Sequence, residues 1–294
     1  MSLPGVSVIC LSYNHARFVE EAVQSVLNQD YPNVEIWIAD DASTDNSLQV
    51  IERLTQQHPH IHFMHNDANQ GHCRTFNKVL GKTNGEFIID LSADDVLLPV
   101  RISRGVKELQ LMGSTYGVHF SDARYIDEAG RALYLHSQRY PHETIPQGNV
   151  YIELIKRYFI CPPTLMFRRE VLEQLGGYDE QLHYEDFDIL VRAARHFCFS
   201  YSPEVLVKRR VVKGAGSSRQ FRLFSRHSLT TLAVCKKIMA MNRTEPERRA
   251  LQKRLRYEMM LNLKLLNVDV AWQFMEMLIQ NGKRLKPDTA LNLL

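Results

Sequence analysis

Four short apolar runs, each halted by polar or acidic residues, set the tightest limit on how this chain can fold. They are Val6-Ser7-Val8-Ile9-Cys10-Leu11, Val34-Glu35-Ile36-Trp37-Ile38-Ala39, Ile61-His62-Phe63-Met64 and Phe87-Ile88-Ile89-Asp90-Leu91. Runs this short and this apolar suit strands covered on both faces. Between them lie helical patterns. Phe18, Ala22, Val23, Val26 and Leu27 recur at helical spacing, a second helix extends to about Gln57, and Arg74 to Lys82 forms a third. Ser43 or Thr44 suits the N-cap of the second helix, with Asp45 in its first turn. The order β-α-β-α-β-α-β with short connections predicts a Rossmann-like, mostly parallel α/β sheet flanked by helices.

After Pro99 a helix carries Ile102, Val106 and Leu109, and beyond Gly113 the pattern changes. Gly117 to Ala123 reads as a strand, Ile126 to Gly130 as a hairpin turn and Val150 to Phe159 as a helix. Thr164 to Phe167 reads as a strand, and Glu170 to Leu175 as a helix stopped by Gly176-Gly177. Glu185-Asp186 opens a helix that buries Phe187, Leu190, Val191 and Ala194, and late strands fall at 197–201 and 205–209. Past Gly216 only helical patterns remain. The expected division is therefore a catalytic-type domain over 1–215, with halves 1–112 and 113–215, and a helical extension over 216–294.

With 294 residues, 45% of them hydrophobic, the chain can bury one large core plus an appendage. Net charge is only +3, but from Lys208 to Lys264 sixteen Lys and Arg face three acids. The five cysteines are odd in number and lack a CxxC pair, so a reduced, cytoplasmic setting is expected. Cys10 and Cys198 lie in apolar runs and read as core. No run is long enough to span a membrane, and no signal-peptide pattern opens the chain, so the expectation is a soluble protein that at most lies on a membrane surface.

Three acidic groups stand where chemistry is expected: Asp40-Asp41, Asp94-Asp95 and Glu185-Asp186. The first two close parallel strands, at the sheet edge where open α/β folds bind ligands. Adjacent carboxylates repel unless they share a cation or a proton. A divalent metal carrying a diphosphate would relieve Asp94-Asp95. Each pair also has a plainer reading as a helix cap or solvated turn.

Several blocks together resemble the family 2 glycosyltransferases. They are the opening Val6 to Asn14, the run Asp40 to Asp45, Asn69 with Gly71, Gly85-Glu86-Phe87, and Ala93-Asp94-Asp95 with Pro99. Gly176-Gly177-Tyr178-Asp179-Glu180 followed by Glu185-Asp186-Phe187-Asp188 completes the series. The resemblance covers roughly 4–215. It implies a GT-A fold, a nucleotide-diphosphate sugar donor, UDP-linked by preference, and Mn²⁺ or Mg²⁺ held by Asp95 with Asp94 beside it. Asp94 could instead contact the ribose. It implies Asp186 as the base that takes the acceptor's proton, with Glu185 orienting it or binding acceptor. One base and no separate nucleophile imply inversion at the anomeric carbon. Where the family often has an acid, two places before Asp94, this chain has Ser92.

Tyr13 offers a stacking face for the base, Asp40 an acceptor for its ring N–H, and Ser12 and Asn14 further hydrogen bonds. By the same resemblance, Arg210 and Lys213 sit where family members often close a basic loop over the diphosphate, whose departure cations would assist, or else they form a solvated edge. Asp188 reads as the partner of Arg192 one turn on. His58, His60, His62 and His65 alternate faces and read as surface side chains. The expected acceptor is a saccharide or a lipid-linked hydroxyl, in surface polysaccharide or glycolipid synthesis. The basic helices suggest packing on the catalytic domain or a second subunit, as in a homodimer, with peripheral membrane contact as a further role. A non-catalytic sugar-nucleotide-binding scaffold is the alternative, favoured by Ser92. Nucleic-acid binding ranks lowest, because few aromatic residues accompany the basic ones.

Overall fold

A computed structural model describes residues 3–140, 144–182, 185–212 and 227–283. The chain divides into two compact units. The first comprises 1–148, 160–180 and 196–212, and the second 149–159, 181–195 and 213–294.

The first unit is built on one nine-stranded sheet of order β3-β2-β1-β4-β8-β6-β9-β5, with β7 paired to β6. The strands are β1 (Val6–Ser12), β2 (Val34–Asp40), β3 (His62–His65), β4 (Phe87–Ser92) and β5 (Val96–Leu97). They continue as β6 (Tyr116–Ile126), β7 (Ala132–Leu135), β8 (Met166–Arg168) and β9 (Cys198–Arg210). The β3-β2-β1-β4 half is parallel throughout. β8 is antiparallel to both β4 and β6, whereas β6 and β9 are parallel. Helices α1 (Val19–Leu27), α2 (Ser47–Gln57), α3 (His72–Leu80), α4 (Arg101–Met112) and α6 (Arg169–Leu175) flank the sheet.

Side chains alternate across β4. Phe87, Ile89 and Leu91 join Val6, Val8 and Cys10 of β1 in a core shared with Val19, Val23 and Val26 of α1 and with Ile51 and Leu54 of α2. Ile88, Asp90 and Ser92 therefore face the other way. There α3 packs on β1 and β2.

Three element boundaries differ from the sequence expectation. Helix α2 starts at Ser47, after Asn46, rather than at Ser43 or Thr44. Both earlier residues are drawn into hydrogen bonds with the β1 loop instead. The two late strands are one, β9, which runs straight through Pro203. A proline fits there because Pro203 falls where the β6–β9 register shifts between Ser202 and Val205, at a position with no ladder partner. Helix α4 begins at Arg101, not Pro99. Asp94 and Asp95 thus lie in the turn between β4 and β5 and do not cap a helix. Cys198 is only half-buried, at the entry to β9, while Cys10 is buried; all five cysteines are free thiols.

The second unit comprises α5 (Tyr151–Lys156), α7 (Glu185–Ala194), α8 (His227–Met241), α9 (Glu245–Lys264) and α10 (Val268–Lys283). Buried charges tie these helices together. Asp188 takes hydrogen bonds from Arg192 Nε at 2.7 Å and from Lys237 Nζ at 2.7 Å, so the expected pairing with Arg192 is made and a second is added. Glu247 accepts from Arg195 and from the backbone N–H of Thr244, closing a capping box at the start of α9. Arg254 pairs with Glu258 at 3.1 Å and lies over the Phe187 ring.

Candidate functional site

The sheet order fixes where a ligand can enter the first unit. β2 and β3 lie on one side of β1 and β4 on the other, so the chain reverses direction across the β1–β4 gap. Open α/β sheets bind ligands at such a switch point, beyond the carboxyl ends of the strands. Ser12 is in register with Asp40, and Leu11 with Ser92, so three strand ends stand abreast. The backbone continues this alignment, with Asp41 N–H donating to Ser12 O and Ala93 N–H to Leu11 O, each at 2.9 Å. Strand pairing thus brings Ser12 and Asp40 to one edge, with Asp94 and Asp95 in the turn that follows Ser92.

Each of these residues is held differently. Ser12 is buried, and its hydroxyl has no hydrogen-bond partner among the described residues. Tyr13 follows directly and is 44% exposed, leaving its ring free to stack. Asn14 sits at φ 59° and Ala42 at φ 59° on the facing loop. Both are left-handed positions that cost a residue with a Cβ about 1–2 kcal/mol. The two loops are stitched together: Asn14 N–H donates to Ser43 Oγ, and Asn14 Oδ1 accepts from Thr44 N–H at 2.7 Å. Asp40 is fully buried. It accepts from the Ser43 hydroxyl and from Ser43 N–H, with His65 Nδ1 3.2 Å away. Asp41 organises the next loop, taking Gln70 N–H, Gly71 N–H, Asn66 Nδ2 and Thr75 Oγ1. Asp45 accepts from Ala16 N–H and Ser47 N–H and has a capping role.

Asp94 accepts the hydroxyl of Ser92. Asp95 is only 4% exposed, and its Oδ1 takes the Arg210 N–H at 2.7 Å. Burial, then the adjacent Asp94 charge, pushes the Asp95 carboxyl well above the ordinary carboxylate range, against the pull of the Arg210 N–H and the Arg209 and Arg210 charges. Two carboxylates so placed fit a divalent cation, which would remove the repulsion between them. Two are too few to hold one alone, and among the described residues no three His, Cys, Asp or Glu groups cluster as metal ligands. The donor set therefore suits a cation whose remaining ligands come from a bound diphosphate and water.

Arg210 is placed as a strut. Its Nε donates to Asp94 O at 2.9 Å, its Nη1 to Asp127 O at 3.2 Å and its Nη2 to Glu21 Oε2 at 2.6 Å, and its guanidinium lies over Phe18. It fixes the turn that carries Asp94 and Asp95. Lys213 lies outside the described residues. Glu185 and Asp186 open α7 in the second unit; Asp186 is half-buried, and only the backbone of Glu185 is described. Of the histidines, His62 stacks on Trp37, His58 meets His60 edge to face, and His65 serves Asp40.

Two features escaped the sequence reading. Asp90, in the middle of β4, accepts from Tyr178 OH at 2.9 Å and lies 2.7 Å from His72 Nε2; its Oδ1 is buried without a partner among the described residues. An acid inside an otherwise apolar strand was the available signal. Arg209 donates to Tyr125 OH at 2.9 Å and lies within the field of Asp95. Nothing in the sequence distinguishes it from its basic neighbours.

A curled, mostly parallel sheet flanked by helices, with acids at its switch point, has the GT-A fold. The same fold is found in Staphylococcus aureus TarS, solved with UDP-GlcNAc, which is 20% identical with a TM-score of 0.69 over 85% of this chain and 71% of that one. It is found too in the Pyrobaculum calidifontis mannosyltransferase PcManGT, solved with GDP-Man and Mn²⁺, at 20% identity and a TM-score of 0.69 over 94% and 75%. Residues 7–176 match the model of glycosyl transferase family 2, and the chain belongs to that family. An uncharacterized glycosyltransferase of Nostoc is 36% identical over 59% of this chain and 54% of its own length, so the match spans about half of that relative. The putative glycosyltransferase EpsE of Bacillus subtilis is 27% identical over 80% of this chain and 83% of its own.

Proposed function

We propose that the protein transfers a glycosyl group, with inversion, from a nucleotide-diphosphate sugar to a hydroxyl of a saccharide or lipid-linked acceptor. The observation that supports this most is the convergence of Ser12, Asp40, Asp94 and Asp95 at the β1–β4 switch point of a family 2 chain. Tyr13 stacks on the base. Asp40, whose Oδ1 also accepts the Ser43 hydroxyl, is the acceptor proposed for the ring N–H of a uracil or thymine base. The Ser12 hydroxyl, buried and without a partner among the described residues, is the group proposed to bond the ribose or a phosphate.

Asp95, with Asp94, would hold Mn²⁺ or Mg²⁺ against the diphosphate. That cation supplies Lewis-acid stabilisation of charge on the leaving group. Ser92, in place of an acid, keeps Asp94 aimed by its hydroxyl hydrogen bond but adds no charge. Arg210 holds the turn rigid rather than touching phosphate. Asp186 takes the acceptor proton as the new bond forms, and Lys213 remains the proposed cation near the diphosphate. The pathway proposed is surface polysaccharide or glycolipid assembly.

Thermal-shift titration with UDP-, GDP- and dTDP-sugars, with and without Mn²⁺, tests this directly. Metal-dependent stabilisation by one donor is expected. Slow hydrolysis of that donor, lost in Asp186→Asn with binding retained, separates an enzyme from a sugar-nucleotide scaffold. No response to any donor would refute the proposal.

A further inference from the structure

The second unit presents a surface that its own packing does not explain. Helix α9 buries Glu247, Leu251, Arg254, Leu255, Glu258 and Asn262 on one side. Its opposite side carries Arg249, Lys253, Arg256, Met260 and Leu263, all exposed. These five recur at alternating steps of four and three residues, so they form one continuous stripe along the helix. Cations occupy its first half and apolar groups its second. Tyr257 and Lys264 flank it and are exposed as well.

The apolar end of the stripe continues around the α9–α10 turn. Leu266 is 59% exposed, Val268 61% and Trp272 59%. Exposed large apolar side chains gathered at one hairpin tip mark an interaction surface rather than scatter. Charge identifies the partner. Lys253, Arg256 and Lys264 have no ion pair among the described residues, whereas Glu258 and Glu247 are buried and paired. Asp269 and Glu276 are the acids on the outer side of α10, and Glu276 accepts the Trp272 indole N–H at 2.9 Å. No helix here is long and apolar enough to cross a membrane, among the described residues.

We propose that the outer stripe of α9 and the α9–α10 tip dock on an anionic lipid bilayer. Met260, Leu263, Leu266, Val268 and Trp272 enter the headgroup boundary, and Lys253, Arg256 and Lys264 meet lipid phosphates, while Arg249 is paired with Glu245 at 3.4 Å. An interfacial helix binds through this combination of buried apolar area and attraction to anionic lipid. Trp and Tyr, with an apolar body and a polar tip, suit that boundary. The surface goes beyond the transferase reading and stands without it, since docking involves no nucleotide sugar.

The test is vesicle flotation of the full chain, without donor or metal, on phosphatidylcholine vesicles with and without about 30% phosphatidylglycerol. Binding to the anionic vesicles alone is expected, weakened at least about tenfold when ionic strength is raised from about 0.1 to 0.5 M. The double variant Met260→Glu/Leu263→Glu should bind at least about tenfold more weakly while keeping wild-type helix content by circular dichroism. In a Trp37→Phe background, Trp272 emission should shift to shorter wavelength on vesicles. Failure to bind anionic vesicles, or equal binding by the double variant, would overturn the proposal. So would a salt-stable dimer that shields Trp272, which assigns the stripe to a second copy. Loss of binding on deleting 284–294 alone would assign it to that segment instead.

Discussion

Arg210 and Asp95 are neighbours with opposite expected responses to mutation. Arg210 is a charged side chain with almost no solvent contact, and every bond it makes goes to another segment of the first unit. Arg210→Ala leaves the Asp94 and Asp127 carbonyls short of a donor, and should cost about 2–4 kcal/mol of stability in urea unfolding. Arg210→Lys should recover little of it, because an ammonium cannot reproduce the fork. Asp95→Asn removes a buried charge beside another carboxylate, so the fold should be as stable as wild type or more so. Transfer or donor hydrolysis should nevertheless fall by about 100-fold or more, if the carboxylate holds the cation that stabilises the leaving group. A loss of activity explained by unfolding would contradict that assignment. At this scale the sequence revealed Asp94 and Asp95 because adjacency shows in one dimension. It hid the work of Asp90, whose partners His72 and Tyr178 are distant along the chain, and it offered Arg210 as a phosphate ligand when its donors turn inward.

At the scale of elements, the alternation of runs and helical spacings located the strands of the parallel half within a residue or two. The misplaced boundaries share a cause. The start of α2 and the unity of β9 depend on side chains and strands supplied from elsewhere, which local propensity does not see. Gly177 illustrates a constraint of the same sort. It adopts φ 73°, and a Cβ there would clash with the Oδ1 of Asn77, whose side-chain Nδ2 donates to Tyr178 O. Gly177→Ala should cost about 2–4 kcal/mol, from the left-handed backbone and the clash together, read as a lowered Tm. Glu35 makes a second element-scale contact. Burial raises its pKa, but hydrogen bonds from Ser7, Asn84 and Trp37 outweigh that and hold the carboxyl below its ordinary value. Its stabilising effect is therefore complete above the unfolded value of 4.5 and is lost as pH falls through the folded one. Glu35→Gln should flatten the Tm-against-pH curve in that acid window and leave its shape near neutrality unchanged.

For the whole molecule, composition and pattern anticipated a sheet domain followed by helices. They did not anticipate that α5 and α7 belong to the same compact unit as the C-terminal helices, because that grouping rests on pairs such as Asp188 with Lys237. The global acid response should come from the sheet unit. His119 is buried on β6, with Arg101 Nη1 3.4 Å from its Nδ1 and Ser202 Oγ 2.9 Å from its Nε2. Burial, then the Arg101 charge, holds its pKa well below 6.5. The unfolded chain takes up that proton and the folded chain does not, so stability should decline as pH drops below 6.5. His119→Gln should reduce that slope.

The most direct measurement is calorimetric titration of a UDP-sugar into the wild-type protein and Asp95→Asn, each with Mn²⁺ and with EDTA. Saturable binding that needs Mn²⁺ in the wild type, and that Asp95→Asn loses while remaining folded, is the expected result. Binding of equal strength in all four conditions would contradict a cation held at the β4–β5 turn, and with it the central claim.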